Sequence, residues 1–364
     1  MIGMTILMEL RTGWKGLFVM SFLVFLVGSG MVLLYPAFSE SFNEQLEGAD
    51  RVDLTIPESD TGELTVAWDP IENADIYYVI ESNSSNIYNE TARVIYAGKA
   101  TNISALYNSS EIRYYAVLAQ MNGSLFPTLV GIDSTGAGYN PYQELLDSPG
   151  YSGFTGGRSI DITQLKGFIS LELFSWLWIL TGMFMAYFSV SSVTSDFEKK
   201  RMDLIFSASV SREQYLIEKF LALSVISLII VVSCAAGLML GVEAIGETGE
   251  LDHSTSFLSL FSMQTFLMTI AAMGILLGMI FRGGKAGMGL NIAFVFASFM
   301  LLTISGFTEA LNGLKYASIM HYWDYNSMLL DGVFNTVYFT GLLVASLIIL
   351  GAAIYIFKKR DIPA

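Results

Sequence analysis

The sequence predicts an α-helical membrane protein with six transmembrane helices and an all-β sandwich inserted between helices 1 and 2. Three observations predict this fold. Apolar residues make up 53% of the 364 residues and charged residues only 14%, against about 25% charged residues in ordinary soluble domains. Several apolar runs are as long as a helix that crosses a bilayer. Residues 37–167 interrupt these runs with short stretches in which apolar and polar residues alternate, as they do in half-buried strands.

The chain opens with an amphipathic segment and an apolar run, which together form the first predicted part, residues 1–36. We predict an interfacial helix over residues 1–15, with a frayed terminus as the alternative, and a first span over residues 17–36. Arg11 and Lys15 flank the start of this run and indicate a cytoplasmic N-terminus. Because the run is longer than the ~7–15-residue apolar core of a signal peptide, we predict that it is retained as an anchor.

Residues 37–167 form the predicted extracellular insert, which carries 18 acidic and 6 basic residues. Residues 52–136 contain short predicted strands separated by turn residues, a spacing typical of a β-sandwich. Trp68 alternates with Leu64 and Val66, so we expect it to fill the core between two sheets. Residues 137–167 are predicted to be a linker. The predicted strands are 52–57, 63–69, 76–81, 94–97, 103–106, 113–120 and 125–132.

This insert resembles a fibronectin type III domain. The match comprises Leu64-Thr65-Val66-Ala67-Trp68, the segment from Ala74 to Ile80, Tyr96-x-Gly98, Leu106, and Tyr115-x-Val117-x-Ala119. The tyrosine that the family keeps at one corner corresponds to Tyr114 or to Tyr115. The resemblance implies a scaffold or a binding module, and it names no ligand.

The same insert contains five Asn-x-Ser/Thr sequences, which are acceptors for N-glycosylation. All of them fall in the region that the topology places outside the cell. We therefore predict surface glycosylation, with a polar surface rich in Asn and Ser as the alternative. The acceptors are Asn83, Asn89, Asn102, Asn108 and Asn122.

A short charged loop, residues 196–219, lies between the second and third predicted spans. The runs 173–195 and 220–242 each have 23 residues without an acidic or basic side chain, about enough to cross a bilayer. Basic residues concentrate in the loop, which places it in the cytoplasm by the positive-inside rule. The predicted membrane domain extends from this second span to the C-terminus, over residues 168–361.

The loop from Glu198 to Arg212 resembles the segment after the second span in permeases of the ABC-2 family, with Lys200 and Ser209 where that family often has Gly and Pro. The resemblance implies a coupling helix that docks on a separate ATPase subunit. Leu204, Ile205 and Phe206 would be its apolar anchors. Ion pairs of Glu198, Asp203 and Arg212 would fix its orientation. The predicted coupling residues are Glu198, Met202, Asp203, Leu204, Ile205, Phe206, Ser207, Val210, Arg212 and Lys219.

The remaining segments complete six spans with both termini inside. We predict a fourth span over residues 254–281, a fifth over 286–308 and a last span over 333–357. Residues 309–331 are predicted to form short outer helices, which look similar to re-entrant helices of ABC-2 permeases. The chain ends in Phe357-Lys358-Lys359-Arg360-Asp361, which resembles the closing motif of the same family. The outer loop 243–253 contains four acidic residues and a histidine, which are residue types that bind metals. Their spacing matches no fixed metal site and favours a solvated loop, so we predict no metal site.

These features predict a permease subunit of an ABC-2 type transporter, acting as an exporter in the cell membrane. No phosphate-binding loop occurs in the sequence, so we predict that the chain is not an enzyme and binds no cofactor. ATP and Mg²⁺ would be held by the partner, two copies of an ABC ATPase. A second permease copy, identical or different, would complete the transporter in the lipid bilayer. The acidic exterior argues against nucleic acid. The alternative is a glycosylated multi-span receptor or adhesion protein with a ligand-binding β-domain.

Overall fold

The computed structural model describes most of the chain as two compact units. One unit, which we call the membrane unit, comprises residues 1–36 and 149–364, and the other comprises residues 37–148. The described residues are 4–49, 52–57, 59, 61–83, 92–109, 111–121, 127–135, 160, 162, 164–199, 201–202, 206, 210–281 and 284–359, without the side chains of 4–5, 41–49 and 309.

The described part of the chain contains six helical segments long and apolar enough to span a membrane, which confirms the predicted number. A π-helical turn joins α2 to α3, and two 3₁₀ helices precede α8. The helices are α1 (Met4–Ala49), α2 (Leu165–Ile169), the π turn (Ser170–Phe174), α3 (Ser175–Glu198), α4 (Arg212–Ile245), α5 (His253–Phe261), α6 (Met263–Ile280), α7 (Gly284–Ser305), the 3₁₀ helices (Glu309–Ala317 and Ile319–Tyr322), α8 (Tyr325–Leu329) and α9 (Thr336–Lys359).

The first helix differs from the prediction in length. We expected an interfacial helix that leads into the first span and a helix end near residue 36. Instead α1 runs unbroken from Met4 to Ala49 and contains Pro36. A single helical glycine costs only about 1 kcal/mol, so Gly13 and Gly16 do not end the helix. A proline inside a helix removes one backbone hydrogen bond and need not stop the helix, so α1 continues into the predicted insert.

Helix α6 is the centre of the membrane unit. It packs against α3, α4, α7 and α9. The apolar part of the span formed by α5 and α6 is 72% buried, whereas that of α1, α7 or α9 is only 22% buried. The three peripheral helices therefore leave large apolar side chains exposed, as expected for surfaces that face lipid or another helix.

Glycines bring α1 and α4 into close backbone contact. A Cβ atom built on Gly237 of α4 would lie 2.2 Å from the carbonyl oxygen of Phe25 in α1. A Cβ on Gly241 would lie 2.8 Å from Cβ of Val32, and one on Gly28 would lie 2.9 Å from the carbonyl oxygen of Cys234. Small residues four positions apart permit this approach, which is typical of helix pairs in membranes.

The second unit contains a β-sandwich between the first two spans, as predicted. One antiparallel sheet has the strand order β1-β2-β5 and the other has the order β4-β3-β6-β7. Each of the seven predicted strands is present, shifted by at most a few residues at its ends. The strands are β1 (Val52–Thr55), β2 (Thr61–Trp68), β3 (Ala74–Ser82), β4 (Arg93–Gly98), β5 (Asn102–Asn108), β6 (Tyr114–Met121) and β7 (Thr128–Ser134).

The sandwich core forms around aromatic side chains. Trp68 is buried and packs edge-on against Tyr77, with ring centroids 5.6 Å apart, which confirms the predicted core position. Tyr115 is fully buried in the same core, and its hydroxyl donates a hydrogen bond to Glu81 at 3.3 Å. Burial and the neighbouring Glu81 carboxylate raise the pKa of Tyr115 to about 12. Arg93 balances Glu81 through an ion pair of 2.6 Å.

Candidate functional site

The loop between α3 and α4 is anchored at both of its ends. Glu198 is the exposed last residue of α3, and Met202 is buried shortly after it. At the other end, the Ser211 hydroxyl accepts a hydrogen bond from the backbone N–H of Gln214 at 3.1 Å and so caps α4. Val210 beside it is half-buried. Four predicted coupling residues lie outside the described residues, namely Asp203, Leu204, Ile205 and Ser207.

Phe206 packs the middle of this loop onto the ends of two spans. Its half-buried ring lies 6.1 Å from the ring of Tyr215 in α4 and 6.2 Å from the ring of Phe357 in α9, measured between centroids. Phe197 of α3 approaches Phe357 at 6.1 Å from another side. We call these four rings the loop aromatic cluster. The described contacts of Phe206 therefore face the membrane unit.

Arg212 joins the start of α4 to the end of α9. Its guanidinium donates hydrogen bonds to the carbonyls of Phe357 at 3.1 Å and Lys358 at 3.3 Å. It also lies 5.6 Å from the centre of the Phe357 ring. A cation at the C-terminal end of a helix interacts favourably with the unsatisfied carbonyls there. Lys358 returns an ion pair of 2.6 Å to Glu213, so two cationic contacts hold these helix ends together.

Lys219 is the centre of a buried charge cluster, which consists of Lys219, Glu9 and Asp196. The side chain of Lys219 has no exposed surface, and its ammonium forms an ion pair with Glu9 of α1. A second ion pair links it to Asp196 of α3 at 2.8 Å, and it donates a hydrogen bond to the Ser192 carbonyl at 2.8 Å. Asp196 also accepts a hydrogen bond from the Tyr215 hydroxyl at 2.9 Å. Because Lys219 is enclosed, its described contacts are all within this chain.

We predicted Lys219 to be a coupling residue that would contact the ATPase, and we predicted neither of the two carboxylates that pair with Lys219 inside this chain. Glu9 lies near the start of α1, and Asp196 lies just after a run without charges. An isolated carboxylate at the end of an apolar run is a recognisable signal, because such a group needs a partner when a helix buries it. The identity of the partner is not readable from spacing, because Glu9 and Lys219 are separated by 210 residues.

The opposite ends of α3 and α6 carry an aromatic cluster around the π turn. Phe174 stacks on Tyr325 of α8 with centroids 4.8 Å apart, and Ser170 donates a hydrogen bond to Asn326 at 2.6 Å. Trp178 is buried against Phe299, with ring centroids 4.5 Å apart, whereas Trp176 is exposed. A π-helical turn inside an α-helix is frequently found at a functional site.

The acidic loop before α5 contains one close pair. His253 lies 3.2 Å from Glu243, and both side chains are more than half exposed. Asp252 caps α5, and the hydrogen bond from Thr255 holds the pKa of Asp252 below its usual value. Within the described ranges, no group of three or more His, Cys, Asp or Glu side chains is arranged to hold a metal ion.

Three of the five glycosylation acceptors belong to the described part of the sandwich. Asn102 and Asn108 are the first and last residues of β5, and both are exposed. Asn83 is exposed directly after β3. Asn89 and Asn122 lie outside the described residues.

One comparison with known proteins identifies a relationship. A family model described as "ABC-2 family transporter protein" matches residues 7–362, which is nearly the whole chain. No curated protein and no solved structure matches the sequence.

Proposed function

The chain belongs to the ABC-2 family of transporter proteins, and we propose that it is the permease subunit of an exporter driven through the α3–α4 loop. Membership makes it a multi-pass membrane component of an ABC transporter, which works with an ATPase subunit. The observation that carries the rest of the proposal is the attachment of the loop. Phe206 contacts Tyr215 of α4 and Phe357 of α9, and Arg212 at the start of α4 binds the end of α9, so a force on the loop reaches two spans.

The mechanism is mechanical. ATP and Mg²⁺ bind to two ATPase copies, and closure of these copies displaces one loop on each of two permease copies. Since proteins pack densely, a displaced aromatic ring shifts its neighbours rather than compressing them. The loop aromatic cluster therefore transmits the movement to α3, α4 and α9. The second permease copy is either identical or different.

We assign the ATPase contact to loop residues other than Phe206 and Arg212, because these two contact helices of this chain. Phe206 faces the membrane unit, so we assign the apolar anchors to Leu204 and Ile205. Glu198 and Asp203 orient the contact by charge. A few buried apolar anchors commonly carry most of the affinity of such an interface.

A pull-down tests this assignment. Leu204→Asp is expected to abolish association with a co-expressed ABC ATPase, because it places a charge where an apolar groove must close. Leu106→Asp is the matched control, since it makes the same substitution at an 83% exposed position of the sandwich, outside the loop, and it should retain the ATPase. Unchanged association of Leu204→Asp would remove the loop from the coupling role.

The topology that fits this mechanism has both termini and the loop in the cytoplasm and the sandwich outside. Basic residues at the loop and beside Lys358 support this orientation by the positive-inside rule. We further propose that Asn83, Asn89, Asn102, Asn108 and Asn122 carry glycans on the outer surface.

A second candidate function rests on the sandwich. Seven antiparallel strands in two sheets, with a tryptophan and a tyrosine in the core, support the proposal of a fibronectin type III-like domain. Such a domain on a multi-span anchor would fit a glycosylated receptor or adhesion protein. An ATPase that co-purifies with the intact chain favours the transporter, and its absence favours the receptor.

A further inference from the structure

We infer that the buried charge cluster fixes the register of α1 against α3 and α4, so that α1 moves together with the coupling loop. Lys219 is then a positioning residue, which acts on transport without touching the ATPase or the substrate. The inference rests on the proposed function for its role in transport, but the geometric part stands on the cluster alone.

One ammonium group joins three helices. Lys219 belongs to α4, and its donors reach Glu9 of α1, Asp196 of α3 and the Ser192 carbonyl of α3. An ammonium has three N–H donors, and these contacts use all of them. Sliding of α1 along α3 and α4 would therefore break the charged hydrogen bond between Glu9 and Lys219.

The same cluster is linked to the loop. The Arg201 guanidinium lies 3.8 Å from the Asp196 carboxylate, and the Arg201 N–H donates to the Asp196 carbonyl at 2.9 Å. The Tyr215 hydroxyl binds Asp196 from α4, and the Tyr215 ring contacts Phe206 of the loop. The loop therefore meets the cluster at its first residues and again through its central ring.

The charges balance within the cluster and its neighbour. Two cations, Lys219 and Arg201, face two carboxylates, Glu9 and Asp196. Removing Lys219 alone takes the cation away from two buried carboxylates, Glu9 and Asp196, which is strongly unfavourable. Replacing the whole set with neutral groups of similar size is often tolerated, because burial of ion pairs gains little net stability. A variant in which the set is neutralised can therefore stay stable while α1 loses its position, so the two effects can be measured apart.

Helix α1 is weakly buried, so few packing contacts other than the charge cluster fix its register. Its apolar part is only 22% buried, and glycine contacts with α4 lie further along the helix. Apolar packing of small residues brings the helices together without directional bonds. Charged hydrogen bonds are directional, so the cluster adds a directional contact to the glycine packing of α1.

The test measures the register of α1 in the full chain, reconstituted in nanodiscs. Cys234 is the only cysteine, so Cys234→Ser gives a background for spin labels at Thr12→Cys in α1 and Lys199→Cys at the end of α3. The native cluster should give one narrow distance distribution. The neutral triple variant Glu9→Gln, Asp196→Asn and Lys219→Met should keep a melting temperature near the parent and broaden that distribution. A triple variant that is stable with an unchanged distribution would overturn the inference.

Two further variants keep the test decisive. Glu9→Gln alone leaves Lys219 paired with Asp196, so it should fold and still broaden the distribution. An unchanged distribution in folded Glu9→Gln also overturns the inference. The control removes the exposed pair Glu213→Gln and Lys358→Met at the same helix ends and should leave the α1 distance unchanged.

A second readout addresses transport. An ABC ATPase that co-purifies with the parent should still bind the triple variant, and the permease-dependent part of its ATP hydrolysis should be lost. Binding with unchanged hydrolysis would overturn the transport role of the cluster. If no ATPase binds even the parent, the proposed function fails, whereas the spin-label distances still decide the register of α1.

Discussion

Gly237→Ala tests whether the close approach of α1 and α4 is set by backbone contact. The added Cβ would lie 2.2 Å from the Phe25 carbonyl oxygen, 2.9 Å from its carbonyl carbon and 3.0 Å from its Cα. All three atoms belong to the backbone of α1. A side chain can change rotamer to make room, but a helix backbone cannot, so we expect the two helices to separate.

The size of the effect follows from these distances. Ordinary Cβ contacts begin near 3.4 Å, so the oxygen contact requires an opening of about 1.2 Å. A gap of about 0.5–1 Å forfeits a quarter to a half of each dispersion contact along the interface. Overpacking typically costs about 1–3 kcal/mol, and we expect the upper part of that range because the obstacle is rigid.

The control cancels the helix propensity of alanine. Alanine is favoured over glycine in a helix by about 1 kcal/mol, which partly hides the cost at Gly237. Gly351 in α9 has open space where its Cβ would be, so Gly351→Ala carries the same gain without the clash. The difference between the two variants is therefore the overpacking energy itself.

Reversible unfolding in mixed micelles measures that difference. We expect Gly237→Ala to unfold at a lower denaturant fraction than the parent, and Gly351→Ala at the same or a higher fraction. Equal stability of the two variants would refute the reasoning, since it would mean that α1 gives way freely at Gly237.

Two further predictions concern the sandwich. Tyr115 should ionise near pH 12 rather than near pH 10, because burial and Glu81 favour its neutral phenol. Its contribution to stability is therefore full below pH 10 and declines as the pH rises towards 12. An alkaline absorbance titration of the parent and of Tyr115→Phe isolates the ionisation of Tyr115, and the difference between the two curves should appear near pH 12. A difference near pH 10 would contradict this environment of Tyr115. Asn102→Gln should increase electrophoretic mobility by one glycan in a host that glycosylates the chain, whereas Asn86→Gln, which changes no acceptor sequence, should not. Equal mobility of the two variants would argue against a glycan on β5.

Local patterns predicted most of the fold because each depends on neighbours in sequence. A span is recognised by its length without charge, and a strand by alternation, so all spans and strands were predicted near their observed positions. Trp68 could be assigned to a core because its face is fixed by the pleat of β2. The length of α1 could not, since the effect of Pro36 depends on what the helix packs against.

The site was less predictable because its contacts join distant segments. Phe206 was predicted as an apolar anchor on the ATPase, and only the folded chain shows that its ring packs on Phe357. The helix contact at Gly237 and Gly241 was not predicted, although small residues four apart in an apolar run indicate such a contact. The sequence does not indicate that this contact involves α1.

The two attachments of α1 together determine how it must move. Glu9 meets Lys219 at one end, and Phe25 meets Gly237 further along, so α1 and α4 run parallel. These contacts are about 25 Å apart along the helix at about 1.5 Å per residue. One contact alone would allow α1 to pivot, but two at this separation fix both its position and its direction. A displacement at the start of α4 must therefore carry α1 with it, so these two helices move together as one rigid pair beside the coupling loop.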